Sequence, residues 1–226
     1  MSISTLPPET IEHILEYLSS SINDLFPSAL VNRSWCTIVI PILWRNPFQL
    51  ASELQTCKLR YKSLVNTYFH TSDEKLQKFL HGQYLDHNAL LSFIKIQVTE
   101  QSGFRYASFL KTIHTKYIYK AIYAWIEYLQ PEDDIDMLTK IFYHEFFHHL
   151  WNESPVIQDL IITDCNKSPL YFWTPSRAAE CLSKISSLYI YLDETFPTKI
   201  FSFLVSNCHY WPLTILRKKM TFMWQQ

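Results

Sequence analysis

The first twenty residues place apolar and polar side chains with the period of an amphipathic helix. The segment Leu6-Pro7-Pro8-Glu9 begins the pattern, and proline is tolerated at the first helical position because its missing N–H would have no partner there. The apolar positions that follow are about one turn apart: Ile11, Ile14, Leu15 and Leu18. This spacing predicts a short helix with one buried face, ended by the serine run at 19–21.

Two more short helices are expected before residue 45. Asn23 or Asp24 can cap a second helix, which carries the apolar residues Leu25, Ala29 and Leu30. A third helix begins near Arg33, and Pro41 is expected to bend it. Its apolar positions are Trp35, Ile38, Val39, Ile42 and Leu43. A bundle this small cannot hide all of these side chains, so it should bury the surplus against the rest of the chain or a second protein.

The order and spacing of these residues resemble the F-box motif over residues 5–48. The matching segments are Leu6-Pro7-Pro8-Glu9, Ile14-Leu15, Leu18, the stretch from Leu25 to Leu30, Val31-Asn32-Arg33-Ser34-Trp35, Pro41 and Leu43-Trp44-Arg45. Thr10 departs from the family, which usually has an apolar residue at that position. An Asn at position 32, where the family more often has Cys, is a mild departure.

The resemblance implies that this segment docks to a Skp-type adaptor, which links F-box proteins to a cullin–RING ubiquitin ligase. Buried Trp and Leu anchors are how such helical interfaces concentrate their binding energy. The residues that the resemblance assigns to adaptor binding are Leu6, Pro7, Ile11, Leu25, Ala29, Val31, Trp35, Leu43 and Trp44. Core and interface positions interleave in so small a bundle, so each residue can instead belong to the internal core.

Residues 49–140 are predicted to form a helical linker region. The clearest helix runs from Phe109 to Leu129, with apolar side chains at steps of four from Ile113 onward. Ser72 can cap a shorter helix that Gly82 ends. The acidic residues after Pro131 favour the start of another helix, since carboxylates stabilise the positive end of the helix dipole.

Residues 141–226 change to helix-then-strand units. The predicted helices are Ile141–Leu150, Ala178–Ile185 and Lys199–Val205, and the predicted strands are Leu160–Thr163, Leu188–Tyr191 and Leu213–Leu216. Strand starts at 160, 188 and 213 are separated by 28 and 25 residues, a spacing within the range of leucine-rich repeats. The resemblance to fungal F-box proteins with such tails implies that the strand face holds a protein substrate. Because strand side chains alternate, about half of these residues should point into the core.

The predicted fold class is therefore mainly α with α/β repeats. It consists of an N-terminal three-helix F-box, a helical middle and a helix–strand arc similar to leucine-rich repeats. The arc is shorter than is usual for such tails, which is the pattern expected of a short or truncated repeat region.

Composition excludes several classes of protein. With 20 basic and 21 acidic residues the net charge is −1, which argues against nucleic acid as a partner. The 48% hydrophobic content excludes a disordered chain. Two glycines, Gly82 and Gly103, cannot build a P-loop or a dinucleotide-binding loop. Five cysteines without a C-x-x-C pair, and the lack of a long apolar run, predict a reduced intracellular protein of the cytoplasm, the nucleus or both, with no membrane segment.

One motif favours catalysis. His144-Glu145-Phe146-Phe147-His148 spells H-E-x-x-H, which on a helix places two imidazoles on one face with a glutamate that can act as a general base. Zinc needs a third protein ligand, and no second motif supplies one. The apolar residues around it also suit a helix that packs beneath a strand. We therefore assign no catalytic residue, metal site or cofactor to the chain, and keep a zinc metallohydrolase only as an alternative.

The sequence thus predicts a non-enzymatic substrate receptor of an SCF-type ubiquitin ligase, acting in protein degradation. Its partners would be a Skp-type adaptor, through it a cullin–RING ligase, and an unidentified protein substrate. The second alternative is an F-box interaction protein that delivers no substrate to a ligase.

Overall fold

The computed structural model describes residues 6–19, 22–52, 57–70, 104–129, 135–154, 156–163, 176–192, 202, 204, 206 and 213–217. The chain divides into two compact units, Met1–Lys111 and Thr112–Gln226. The fold is mainly helical with a parallel sheet in the second unit, which agrees with the predicted fold class. The helix expected between Ser72 and Gly82, and the helix start after Pro131, lie outside the described residues.

The first unit begins with the three predicted helices. They are α1 (Pro8–Tyr17), α2 (Ile22–Ala29) and α3 (Arg33–Leu43). The described residues then form α4 (Pro47–Ser52), α5 (Cys57–His70) and a single 3-10 turn, Tyr106–Phe109. Close approaches of α2 and of α1 to α3 make the first three helices a compact bundle.

Local capping chemistry explains where these helices begin. Asn32 adopts an extended conformation before α3, and its side-chain oxygen accepts a hydrogen bond of 2.9 Å from the backbone N–H of Trp35. The second helix begins at Ile22, so the expected cap at Asn23 or Asp24 is wrong. Asp24 lies in the first turn of α2, where its carboxylate stabilises the positive end of the helix dipole.

The core of the three-helix bundle is small and mostly aliphatic. Its buried side chains in the described residues are Ile11, Leu15, Leu25, Ala29, Val39, Ile42 and Leu43. A cluster of ion pairs on the surface links α1 to the residues that follow α3. The guanidinium nitrogens of Arg45 lie 2.9 Å from a carboxylate oxygen of Glu16 and 3.4 Å from one of Glu12. These groups are about 37–51% exposed, so the ion pairs orient the helices more than they stabilise them.

The second unit combines a parallel sheet with helices between its strands. In chain order its described elements are β1 (Thr112–His114), α6 (Thr115–Leu129), α7 (Ile135–Glu153), β2 (Asp159–Ile162), α8 (Ser176–Ser183), β3 (Ser187–Leu192) and β4 (Leu213–Arg217). Residues 202, 204 and 206 are also helical; the rest of the helix predicted at 199–205 lies outside the described residues. Within the described part, every strand pairs in parallel with the next one along the chain, in the order β1-β2-β3-β4.

The start of the predicted helix Phe109–Leu129 is wrong. Residues 112–114 form β1, and Ile113 pairs with Leu160 of β2, so the helix begins only at Thr115. Ile113 satisfies both patterns, because it continues the helical stripe and is also the buried residue between two half-buried neighbours. As a result β1 and α6 belong to the second unit, and the division after Lys111 falls within the predicted helical linker 49–140.

Aromatic side chains dominate the core of the second unit. Trp125, Trp151, Tyr143, Phe146 and Phe147 are all essentially inaccessible to solvent. The Trp125 and Phe142 rings meet edge to face with centroids 5.2 Å apart, a favoured geometry for aromatic pairs. The long helix α7 therefore anchors this unit, packing against both α6 and α8.

No helix in the described ranges combines the length and apolar character required to cross a membrane.

Candidate functional site

Four of the nine residues predicted to bind an adaptor are enclosed within the three-helix bundle. Ile11, Leu25, Ala29 and Leu43 are each no more than 8% exposed and belong to its internal core. In this conformation they hold the helices together and offer little surface to another protein. Their part in adaptor binding stays a prediction. With these side chains buried, that part would consist of holding the helices in place and not of direct contact with the adaptor.

Trp44, at the C-terminal end of α3, packs against aromatic side chains of the first unit. Its ring lies 4.1 Å from the ring of Tyr106 and 5.3 Å from that of Tyr68, measured between centroids. Phe48 stacks on the other side of Tyr68 at 5.4 Å. Burial raises the pKa of the Tyr68 hydroxyl far above its usual value, because the phenolate would be formed without solvent around it. Trp44 is thus part of an aromatic cluster within the first unit.

The remaining four predicted adaptor residues retain accessible surface. Leu6 and Trp35 are half-buried and pack against the bundle core. Pro7 is exposed, and Val31 is 59% exposed between α2 and α3. These four residues are the ones that a partner could contact directly without opening the bundle.

Sequence analysis did not assign a role to several apolar side chains that the bundle exposes most. Ile14 and Tyr17 on α1 are three positions apart, and Phe26 and Leu30 on or next to α2 are four apart, spacings that put each pair on one helical face. Tyr17 is 81% and Leu30 72% exposed. Together with Val31, we call these residues the exposed apolar set. Surplus apolar content was predicted for the bundle, but of these positions only Val31 was assigned to adaptor binding, and the others were read as core or left unassigned.

Burial alternates along the strands of the second unit and distinguishes the two faces of the sheet. Ile113, Leu160, Ile162, Leu188 and Ile190 point into the core. The alternate positions form what we call the accessible face: Thr112, His114, Asp159, Ile161, Ser187, Tyr189 and Tyr191. Parallel pairing aligns His114, Ile161 and Tyr189 in one row across three strands.

The accessible face carries mixed chemistry. The Thr112 hydroxyl donates a hydrogen bond of 3.2 Å to the Asp159 carboxylate on the neighbouring strand. The His114 ring lies 4.1 Å from the Tyr117 ring, between centroids. Tyr191 is the most exposed of the described residues on this face, at 42%. Aromatic rings beside hydroxyl groups are suited to binding a protein segment, because they combine contact area with hydrogen bonding.

The H-E-x-x-H segment lies in the middle of α7. Phe146 and Phe147 are buried, whereas His148 is exposed and His144 is half-buried. The Nδ1 atom of His144 lies 3.0 Å from Oε1 of the adjacent Glu145. Across the residues that the structure describes, no three His, Cys, Asp or Glu side chains are grouped to hold a metal ion.

Cys36 and Cys181 carry free thiols. Cys36 is half-buried, and buried Cys181 has its sulfur 3.4 Å from the carbonyl oxygen of Trp151.

Partial burial raises the pKa of the Tyr119 hydroxyl, and the nearby charges of Asp136 and Tyr123 raise it further.

Comparison with known families identifies the first unit's opening segment. The F-box-like family model matches residues 3–50, which contain all three helices of the bundle. No curated protein and no solved structure matches the chain. The three-helix bundle and this match lead to one conclusion: residues 3–50 of the chain form an F-box-like domain.

Proposed function

We propose that this F-box protein is the substrate receptor of an SCF-type cullin–RING ubiquitin ligase. The observation that carries the proposal is the F-box-like match at residues 3–50, because F-box domains generally bind Skp-type adaptors. The bundle would dock the adaptor, and the second unit would hold a protein substrate. The protein would work inside the cell, in the cytoplasm, the nucleus or both.

The exposed apolar set supports adaptor docking by the bundle. Apolar side chains this exposed on helices this short mark interaction surfaces, since water contact with them is unfavourable until a partner covers them. Leu30 and Val31 adjoin each other, and Trp35 follows one turn into α3, so this segment offers an anchor group of the kind that dominates helical interfaces.

The accessible face of the sheet is the proposed substrate surface. Four parallel strands in chain order, with helices between β1 and β2 and between β2 and β3, support the predicted similarity to leucine-rich repeats. Of the strand residues named in the sequence analysis, Ile161, Tyr189 and Tyr191 keep accessible surface, whereas their neighbours Leu160, Leu188 and Ile190 are buried. These three would contact substrate and the buried three would not.

The mechanism would be scaffolding without bond chemistry by this chain. A substrate held on the sheet is kept near a charged ubiquitin-conjugating enzyme, which raises the effective concentration of its lysine side chains. The receptor would contribute no nucleophile, acid or base, and so would not be an enzyme.

The adaptor can be tested with a matched pair of substitutions. Val31→Asp places a charge in the exposed segment between α2 and α3, and Val156→Asp makes the same change at a 40% exposed valine of the second unit. We expect the wild-type chain and the Val156→Asp variant to form a 1:1 complex with a co-expressed Skp-type adaptor on size-exclusion chromatography. The Val31→Asp variant should lose that complex while keeping its far-ultraviolet circular dichroism spectrum. A folded wild-type chain that forms no complex would contradict the proposal.

The ligase role needs a second measurement. Co-expression with adaptor, cullin and RING subunits should yield one assembly that contains this chain. An adaptor complex that excludes cullin would instead favour an F-box protein acting outside a ligase.

A further inference from the structure

We propose that His144 and His148 chelate a divalent transition-metal ion of the Zn²⁺, Cu²⁺ or Ni²⁺ class on the surface of α7. This site is separate from the adaptor and substrate surfaces and involves no catalysis. From the sequence, the H-E-x-x-H motif was weighed as the centre of a hydrolase and as part of a packing helix, and no metal site was assigned to it.

The packing of α7 fixes the direction in which both imidazoles point. Phe146, Phe147 and Leu150 are fully buried and hold the helix against the rest of its unit. His144 and His148 are one turn apart, so they lie on one face of the helix. The His144 side chain is 36% exposed and His148 is exposed, so a hydrated ion can reach both.

Each ring is held through its Nδ1 atom. The Glu145 carboxylate lies 3.0 Å from Nδ1 of His144 and is itself only 18% exposed, which limits its motion. A carboxylate on one ring nitrogen orients the imidazole and leaves the other nitrogen, Nε2, as the metal ligand. This is the carboxylate–histidine–metal arrangement that supports many zinc sites.

Asn152 contacts the second histidine through its amide nitrogen. Its side-chain amide lies 3.1 Å from Nδ1 of His148, one turn further along α7. With the amide nitrogen facing Nδ1, Asn152 donates to that ring nitrogen, and the proton of the neutral imidazole lies on Nε2. Binding of an ion through Nε2 therefore requires the Asn152 amide to make a half-turn about its last bond, so that its oxygen accepts from Nδ1–H. Both rings are therefore partly ordered before an ion arrives, which lowers the entropic cost of chelation.

The ligand type selects the class of metal. Imidazole nitrogen suits Zn²⁺, Cu²⁺ and Ni²⁺, whereas Mg²⁺ and Ca²⁺ prefer oxygen ligands. In the described part of the chain no third metal-binding side chain joins the pair, so water fills the remaining coordination positions. The expected site is thus an open two-histidine chelate.

The test is calorimetric titration of the full chain with NiCl₂, together with electron paramagnetic resonance of the Cu²⁺-loaded protein. The wild-type chain should have one site that is lost in the double variant His144→Ala/His148→Ala. Each single variant should weaken binding about 100-fold, because the second contact is no longer intramolecular. Glu145→Gln should weaken it about 10-fold, the lower end of the loss seen when an outer partner of a ligand is removed.

A control variant and a second readout separate the site from the other histidines of the chain. His13→Ala removes an exposed histidine of α1 and should leave the titration unchanged. Ni²⁺ should raise the melting temperature of the wild-type chain but not that of the double variant, since ions stabilise only the state that binds them. Equal affinity of the wild type and the double variant for Ni²⁺, or a Cu²⁺ spectrum with a single coordinated imidazole, would overturn the proposal.

Discussion

The F-box and the sheet-bearing unit differ in where they put their large apolar side chains. The F-box encloses small aliphatic residues and leaves Tyr17, Phe26 and Leu30 in solvent. The second unit encloses Trp125, Trp151 and Phe147 completely. A bundle of three short helices has little interior relative to its surface, whereas long helices against a sheet create space for whole aromatic rings. The comparison shows that the F-box leaves several large apolar side chains accessible to a partner, whereas the second unit uses aromatic rings to fill its core.

The largest effect is expected from an aromatic core residue of the second unit. Phe147→Ala should lower the free energy of unfolding by about 3–5 kcal/mol, because it removes a fully buried ring and leaves a cavity. Met137→Ala on the same helix, at a 52% exposed position, should change it by no more than about 0.5 kcal/mol. Urea denaturation measures both. Similar losses in the two variants would mean that α7 does not anchor its unit.

The F-box core should be nearly as sensitive at its buried leucines. Leu25→Ala is expected to cost about 2–5 kcal/mol, since Leu25 is only 1% exposed. Leu30→Ala, five residues further along, should leave stability within about 0.5 kcal/mol and weaken adaptor binding instead. Thermal denaturation and adaptor affinity, measured on both variants, separate the two roles. A large stability loss in Leu30→Ala would contradict the division between core and contact surface.

Tyr68 predicts a pH dependence for the first unit. Its folded pKa lies above the unfolded value of about 10, so the unfolded state loses its proton first as the pH rises. The stability is therefore complete below about pH 10 and falls by about 1.4 kcal/mol per pH unit above it for this one group. Tyr68→Phe should have a shallower decline in urea midpoint between pH 10 and pH 11. Identical slopes in the two proteins would show that Tyr68 ionises in the folded state at the same pH as in the unfolded state, which would contradict the raised pKa.

The smallest effect concerns the helix that carries Trp35. Asn32→Ala should cost about 1 kcal/mol, because the backbone N–H of Trp35 loses its side-chain acceptor. Asn32→Ser keeps a capping oxygen and should recover most of that loss in thermal melts. Equal destabilisation by Ala and Ser would assign the effect to another contact of Asn32.

Much of the fold was predictable because its signals are local. The first three helices follow from one-turn apolar spacing together with the F-box motif, and β2, β3 and β4 follow from short apolar runs between helical segments. β1 was missed because its three residues fit the stripe of the following helix. Only pairing with Leu160, far along the chain, decides between strand and helix at Ile113.

The candidate surfaces were less predictable, because burial depends on how elements pack. Leu25 and Leu30 are similar residues of one short helical segment, yet one is enclosed and the other is exposed. Likewise, the alternation along β3 was expected, but which of Leu188 and Tyr189 faces inward depends on the helices that cover the sheet. The sequence therefore located the apolar surplus of the F-box to within a segment, and the structure shows which of its side chains are exposed.

The order of the strands has a consequence for how the second unit opens. Each strand in the described sheet pairs only with its neighbours in the chain, so β1 and β4 make no ladder with each other. Stability in such an array is a sum over adjacent pairs, and an outer strand can detach while the inner pairing survives. Backbone amides shared between β2 and β3 should therefore exchange hydrogen more slowly than those of β4. In the same arrangement, adding or removing an outer helix–strand pair changes only its contacts with one neighbouring pair. This part of the protein can therefore change length while the pairing of the remaining strands is kept.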